Sequence, residues 1–481
     1  MPTSPTTRSR AGLRSLWPEA LVVLGLTLIV VVPVWPGVFT IDSQTMLRAA
    51  RENRISNWYA PVLQCVWGGL DGAGLPVGTA LVLCTVGLVA AVLACFRLGI
   101  RRVPACIATA LLVLWPPVYG MAGWVGRDVW FVALTVAAVA AMGWAIRRPR
   151  HRWPLLGGAF AAAWFAADAR QNGFPVLVAV GGLMGWAWAR QARATHTWLR
   201  VCAGALAALV VGLGTHAVVA RIATERTYAP DEILYWQDLV AMSLRRDELV
   251  FPASLRTADL TAIREAWIEG QVGSVVYPAD PLVDYAPYTA GHGDEVRAAW
   301  ARAVLDHPID YLIVRADLAT KSWGLRSGNL SAWFDRSDAL NRASRELRQR
   351  FTGLADARAN YLDAFDRGRG TPGVLHMPWL YLLVGIIGSV ALLVVGASAR
   401  VFGVATLALQ VLLQGVLVVA APLVEFRFQY FQVVLGPVIA GVGLVSWWRA
   451  RHGDDPWAAA PPSDRRQREH GPDEALSPGR A

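Results

Sequence analysis

Charge is scarce in this sequence. Only 17% of its 481 residues are Asp, Glu, Lys or Arg, against a hydrophobic fraction of 55% and a mean hydropathy of +0.38. A soluble globular chain of this length carries more charge than that. Lysine is nearly absent: Lys321 is the only one, and the rest of the 45 basic residues are arginine. That bias, with abundant Ala, Gly and Val, is the pattern of a GC-rich bacterial genome. Cysteine is sparse too. Of Cys65, Cys84, Cys95, Cys106 and Cys202, four lie in apolar stretches and none in the large polar segment. Their spacing suits neither a disulfide framework nor a zinc site, so they read as small buried residues. His292, His307 and His376 are dispersed and give no metal-ligand spacing. No P-loop, dinucleotide-binding glycine fingerprint or catalytic serine elbow stands in a suitable context, which argues against an ATP-driven machine.

What is present is a series of long apolar runs. A bilayer core of about 30 Å takes about 20 residues of helix, and backbone groups in lipid must bond internally. Ten runs qualify on that basis: 18–39, 76–97, 103–121, 129–146, 153–169, 174–190, 198–219, 376–397, 401–422 and 429–448. The first follows Arg8, Arg10 and Arg14, and it is longer than a signal-peptide core and lacks a clean small-residue cleavage site. It reads as a retained helix. The net charge of +10 and the pI near 9.8 do not indicate nucleic acid, because the arginines outside the polar segment fall in short runs between apolar stretches.

Those runs alternate. One set of connections carries Arg97, Arg101 and Arg102; Arg147, Arg148, Arg150 and Arg152; Arg190, Arg193 and Arg200; Arg400; and Arg449 with Arg451. The short connections of the other set carry only Arg127, Arg170 and Arg427. The positive-inside rule then puts both termini in the cytoplasm of a plasma (inner) membrane. Trp17, Trp35, Trp124, Trp153, Trp447 and Trp448 near span ends are expected as interfacial anchors.

The expected layout is an all-α polytopic membrane protein with about ten spans. It has a cytoplasmic N-terminus (1–17), a transmembrane module (18–219) and an outer loop (40–75) within that module. An extracytoplasmic domain (220–375), C-terminal spans (376–448) and a disordered cytoplasmic tail (449–481) follow. In the loop, Asp42 to Asn57 reads as a polar helix and Pro61 to Leu70 as a short interfacial piece. Segment 220–375 holds 22 of the 35 acidic residues with 19 basic ones. It reads as mainly helical, with amphipathic helices over 295–320 and 337–367 and a strand signal near Gly273 to Tyr277.

Charges near a membrane are costly and usually have a function or a partner. Four polar groups share the outer side: Asp42; Arg127 with Asp128; Asp168, Arg170 and Asn172; and Glu425, Arg427 and Tyr430. Planar guanidiniums suit phosphate, and a nearby carboxylate can deprotonate a hydroxyl or bind a divalent cation. The bland alternative for each is a structural ion pair, for instance Asp168 satisfied by Arg170.

Four short motifs in this layout resemble the GT-C superfamily of membrane glycosyltransferases, and more narrowly the bacterial relatives of protein O-mannosyltransferases and aminoarabinose transferases. They are the early loop acid Asp42, the hairpin Arg127-Asp128, the turn Arg170-Gln171-Asn172-Gly173 and the late turn Phe426-Arg427-Phe428-Gln429-Tyr430. Where many relatives carry a His-Pro pair, this chain reads Trp58-Tyr59-Ala60-Pro61. Where many carry two loop acids, it reads Asp42-Ser43-Gln44. The resemblance implies a polyprenyl-phosphate-linked sugar as donor, membrane lipid around it and a cell-envelope acceptor. It puts Asp42 in the role of catalytic base or metal ligand, with a divalent cation as the only cofactor it raises. It assigns substrate binding to Arg127, Asp128, Arg170, Asn172, Glu425, Arg427 and Tyr430. Rival expectations are a transporter or lipid flippase and a non-catalytic envelope assembly protein.

Overall fold

A computed structural model describes residues 17–278, 280–326, 351–365, 374–421 and 424–458. The N-terminal arginines 8, 10 and 14, residues 337–350 of the second expected amphipathic helix, and most of the tail lie outside the described residues. The fold is helical, one of the two ways in which an apolar chain satisfies its backbone in lipid. Among the described residues, seven helices are long and apolar enough to cross a membrane: α1 (Trp17–Val31, continued by a 3-10 turn to Val34), α4 (Gly78–Phe96), α7 (Arg127–Arg147), α9 (Phe174–Gln191), α10 (Thr197–Val219), α18 (Ala397–Ala420) and α19 (Phe426–Arg451). Between them lie α2 (Ile41–Arg51), α3 (Pro61–Gly72), α5 (Arg102–Val113), α6 (Pro116–Ala122) and α8 (Arg152–Ala169). Four further helices, α11 (Glu232–Arg246), α12 (Leu260–Ala266), α13 (Gly273–Val276) and α14 (His292–Asp306), come next. After them come α15 (Pro308–Ser322), α16 (Thr352–Phe365) and α17 (Pro378–Leu393).

The expected count of about ten spans is therefore too high, for three separate reasons. The run 103–121 breaks at Pro116, and α5 and α6 meet at 73°; counted as one bent span they bring the total to eight. Proline lacks the N–H that would continue α5. Helix α8 has the length, but Pro154, Gly157, Gly158 and the charged Arg152 and Asp168 near its ends lower its hydropathy. Helix α17 has only 16 residues.

Helix α7 packs on α4, α8 and α19, α17 packs on α18 and α19, and α9 joins α8 to α10 and α18. Small residues allow this: a Cβ added to Gly443 would lie 2.0 Å from the carbonyl oxygen of Gly388 on the facing helix. Such close backbone contact is how helices associate where lipid offers no hydrophobic drive. Four glutamines, Gln410, Gln414, Gln429 and Gln432, are buried between α17, α18 and α19. They hydrogen bond to one another and to Ser389, Trp323 and the Tyr381 carbonyl.

Helices α11 to α15 enclose a second apolar cluster around Trp236, Leu239, Ile263, Val275 and Val296. The predicted helix over 295–320 is two, because Pro308 starts a new one at α15. The predicted strand near Gly273 is the one-turn helix α13. Arg315 on α15 ties this unit to the membrane bundle. It donates to Asp238 at 2.6 Å and to the Ala421 carbonyl oxygen, just past α18, at 2.9 Å. Of the expected tryptophan anchors, Trp17, Trp153 and Trp448 are exposed, whereas Trp124 is buried in a strand.

That strand, β2 (Trp124–Val125), pairs in parallel with β1 (Val38–Phe39), with Val38 opposite Trp124 and Phe39 opposite Val125. The pairing brings the end of the first span onto the start of α7. Gly37 makes it possible, since its φ is +128° and an added Cβ would lie 2.2 Å from Val125 Cγ2. Gly37→Ala forces both a conformation reserved for glycine and an overlap, at a cost of about 2 kcal/mol or more. Its thermal unfolding in detergent is expected several degrees below that of the parent protein.

Candidate functional site

Asp42 lies in the first turn of α2, whose N-cap is Thr40; the Thr40 hydroxyl accepts from the Ser43 N–H at 3.1 Å. The β1–β2 pairing sets this turn against Gly126, where α7 begins. Arg127, the first residue of α7, reaches Asp42 at 3.5 Å. Arg427, in the first turn of α19, reaches the same Asp42 oxygen at 3.0 Å and also grips Glu425. Arg170, in the turn after α8, is paired with Asp128, and both side chains are buried. Its guanidinium lies over the Phe428 ring, 4.4 Å from the centroid, and that of Arg427 lies 5.6 Å from the same ring. Asp42, Arg127, Asp128, Arg170, Glu425 and Arg427 thus form one cluster at one end of the bundle, built from four distant stretches of chain. The opposite end holds other ion pairs, Glu19 with Arg97 and Arg102, and Asp454 with Arg101 and Arg449.

Three guanidiniums meet three carboxylates, so the cluster is balanced in charge. Within it Asp42 is half-exposed, while Arg170, Asp128 and Glu425 are buried. Burial works to raise the Asp42 pKa, but Arg127, Arg427 and Arg170 outweigh it and hold the carboxyl below its usual range. Asp42 is therefore ionised at neutral pH and a weak base while both arginines hold it.

The remaining sequence candidates fall elsewhere. Tyr430 is fully buried one turn into α19 and donates to the Val118 carbonyl oxygen at 3.2 Å, so it faces the bundle and not the cluster. Asn172 is half-buried, and its amide hydrogen bonds to nothing among the described residues. Asp168 does not pair with Arg170. It accepts from the backbone N–H groups of Val62 and Leu63 and so caps α3 from outside the helix.

Among the described residues, no group of three or more His, Cys, Asp or Glu side chains is placed to hold a metal ion. Asp42 and Glu425, the acids nearest to a possible cation, both contact Arg427. Guanidiniums occupy the space a cation would need, so this arrangement does not fit a divalent ion. Sequence reading missed Tyr59, whose ring lies 5.6 Å from the Arg127 guanidinium. The Trp58-Tyr59-Ala60-Pro61 stretch was the only available signal.

An apolar cleft of about 240 Å³ lies beside the cluster, between α3, α7 and α8, lined by Leu63, Val66, Trp130, Leu134, Phe165 and Ala169 with Asp168 among them. Among the described residues, neither the Trp130 indole N–H nor Asp168 Oδ1 has a hydrogen-bond partner there.

The buried Arg170–Asp128 pair yields a stability test. Arg170→Met leaves Asp128 buried without its partner and costs about 3–5 kcal/mol. The double variant Arg170→Met/Asp128→Leu removes both charges and is expected to regain most of the loss in thermal unfolding. Tyr430→Phe removes one hydrogen bond, about 1 kcal/mol, and leaves any activity unchanged. No family model, curated protein or solved structure matches this chain, so the side chains themselves are what bears on function.

Proposed function

We propose that this chain is a multi-pass membrane glycosyltransferase that moves a sugar from a polyprenyl-phosphate carrier to a cell-envelope acceptor. In this reading the cluster faces the outside of the plasma membrane and the termini face the cytoplasm. The observation that carries it is the Asp42 carboxylate held between Arg127 and Arg427. Two guanidiniums converging on one acidic group can equally converge on a phosphate. The neighbouring apolar cleft offers space for part of a lipid tail. The sorting of arginine-rich connections to the opposite end supports the orientation.

The chemistry follows from the charge balance. A phosphate entering the cluster competes with Asp42 for Arg127 and Arg427. Released from them, Asp42 becomes a stronger base. The acceptor hydroxyl attacks the anomeric carbon while Asp42 takes its proton. The bond from that carbon to the phosphate oxygen breaks, and the lipid phosphate leaves with its charge neutralised by the arginines. Attack opposite the leaving group inverts the anomeric centre. The rival transporter reading draws on the buried glutamines, but these bond to one another and serve as interhelical glue.

Asp42→Asn is expected to lower sugar transfer in membranes by about 10²-fold or more; retained activity would remove Asp42 from the mechanism. Arg127→Gln takes away one of the charges that depress the Asp42 pKa. The acid limb of its kcat/KM profile should therefore move to higher pH, and an unmoved limb would show that Asp42 is not the titrating group.

A further inference from the structure

The unit formed by α11 to α15 is pinned to the membrane bundle on both sides of the charged cluster. On one side, the Thr224 and Glu225 N–H groups donate to the Ile55 carbonyl oxygen at 2.8 and 3.0 Å. Asn57 clasps Thr227 with two hydrogen bonds of 2.9 and 2.6 Å. The next residues, Tyr228 and Ala229, donate to the Pro287 carbonyl oxygen at 2.9 and 3.1 Å. These links set Tyr288 beside the Asn57–Tyr59 stretch. On the other side, the Val424 N–H donates to the Gly270 carbonyl oxygen at 2.8 Å, and Gln271 Nε2 donates to the Val424 carbonyl oxygen at 3.1 Å. Gly270 has a φ of +75°, and an added Cβ would lie 2.6 Å from Val424 Cγ2. This seat places α13, and Tyr277 at its end, over the Val424–Arg427 stretch.

Three tyrosines thereby converge on the mouth of one polar site. Tyr59 lies against Arg127. Tyr277 is 58% exposed and Tyr288 64% exposed. The Tyr277 ring is braced edge-on by Tyr285, with centroids 5.7 Å apart. Burial, and after it the Asp42 carboxylate, push the Tyr59 phenol up to about 12. Tyr59 is in contact with the cluster, and the backbone links carry Tyr277 and Tyr288 on segments to either side of it. Large aromatic faces held at the rim of a charged pocket are exposed apolar area in search of a ligand with a flat apolar face. A lipid headgroup layer would draw tyrosines into a girdle around the bundle, whereas these three stand on segments tied to the two sides of one cluster. A pyranose or furanose ring meets the need: its C–H face stacks on the aromatic ring, and its hydroxyl edge meets the phenol and the charges beneath.

We propose that Tyr59, Tyr277 and Tyr288 form a stacking subsite for the sugar rings of a carbohydrate acceptor, so that the acceptor is itself a glycan. This rests on the transferase reading of the cluster. The test is direct binding without donor. Full-length protein in lipid nanodiscs is titrated with fluorescently labelled linear oligosaccharides of glucose, mannose, N-acetylglucosamine and arabinose, and polarisation is read. At least one probe is expected to bind. The Tyr277→Ala/Tyr288→Ala variant should weaken it about tenfold or more, and the Tyr277→Phe/Tyr288→Phe variant, which keeps the rings, less than about threefold. The proposal is overturned if no probe binds, or if the alanine pair binds as the parent does with its thermal unfolding unchanged. Weaker partition of the alanine pair into empty vesicles, with glycan binding unaltered, would mark the tyrosines as lipid anchors and also overturn it. Asp42→Asn separates the two claims: it should bind the glycan normally but not transfer sugar. Normal binding with full transfer would sink the mechanism at Asp42 and leave the subsite standing.

Discussion

Everything at the site depends on one electrostatic requirement: charges at the end of an apolar bundle must find partners. Removing an ion from water costs several kcal/mol even after relaxation, and only close opposite charge repays it. Here Asp42, Asp128 and Glu425 satisfy Arg127, Arg170 and Arg427. The deeper Arg170–Asp128 pair is closed to water and acts as a frame. The shallower Asp42 contacts keep partial access to water, with about a quarter of the Asp42 side chain exposed. A difference in depth within one cluster thus separates groups that hold the architecture from groups free to take part in chemistry.

Much of this was legible in the sequence, and the reason is physical. An ionisable residue at the end of an apolar run stands out because lipid tolerates so few of them. Asp42, Arg127, Asp128, Arg170, Glu425 and Arg427 were visible in that way, and the structure brings all six together. The pairing was not legible. Arg170 is two residues from Asp168 but bonds to Asp128, since partner choice is set by how α7 and α8 pack. Tyr430 looked like a member because it follows Arg427 closely, yet a few residues of helix turn a side chain from the rim into the core. The two-residue strands that join Asp42 to Arg127 carry no sequence period at all. The span count was overstated because hydropathy registers apolar length and not the break at Pro116 or the shortness of α17.

The second unit is more than an appendage. It is fastened by backbone and buried side-chain bonds at Ile55, Asn57, Ala421 and Val424, on chain segments that flank the cluster. The buried Arg315–Asp238 contact, supported by Trp300 at 2.8 Å, lends one of those fasteners the strength of a charged hydrogen bond. Such a mount lets the unit present residues to the site with the precision of a folded core and without a flexible tether.

Helix α3 is held very differently at its two ends. Its start is fixed by the Asp168 carboxyl group, itself buried, on the Val62 and Leu63 N–H groups. Its far end is fixed by Arg51 on Asp71 at 2.9 Å, in the open. An exposed ion pair of this kind contributes only about 0–1 kcal/mol, whereas a carboxyl on the first N–H groups of a helix, sheltered from water, is lost at greater cost. The α3 terminus remote from Asp168 is therefore the more lightly fastened, and it stays in place through the packing of Trp67 and Leu70 more than through its ion pair.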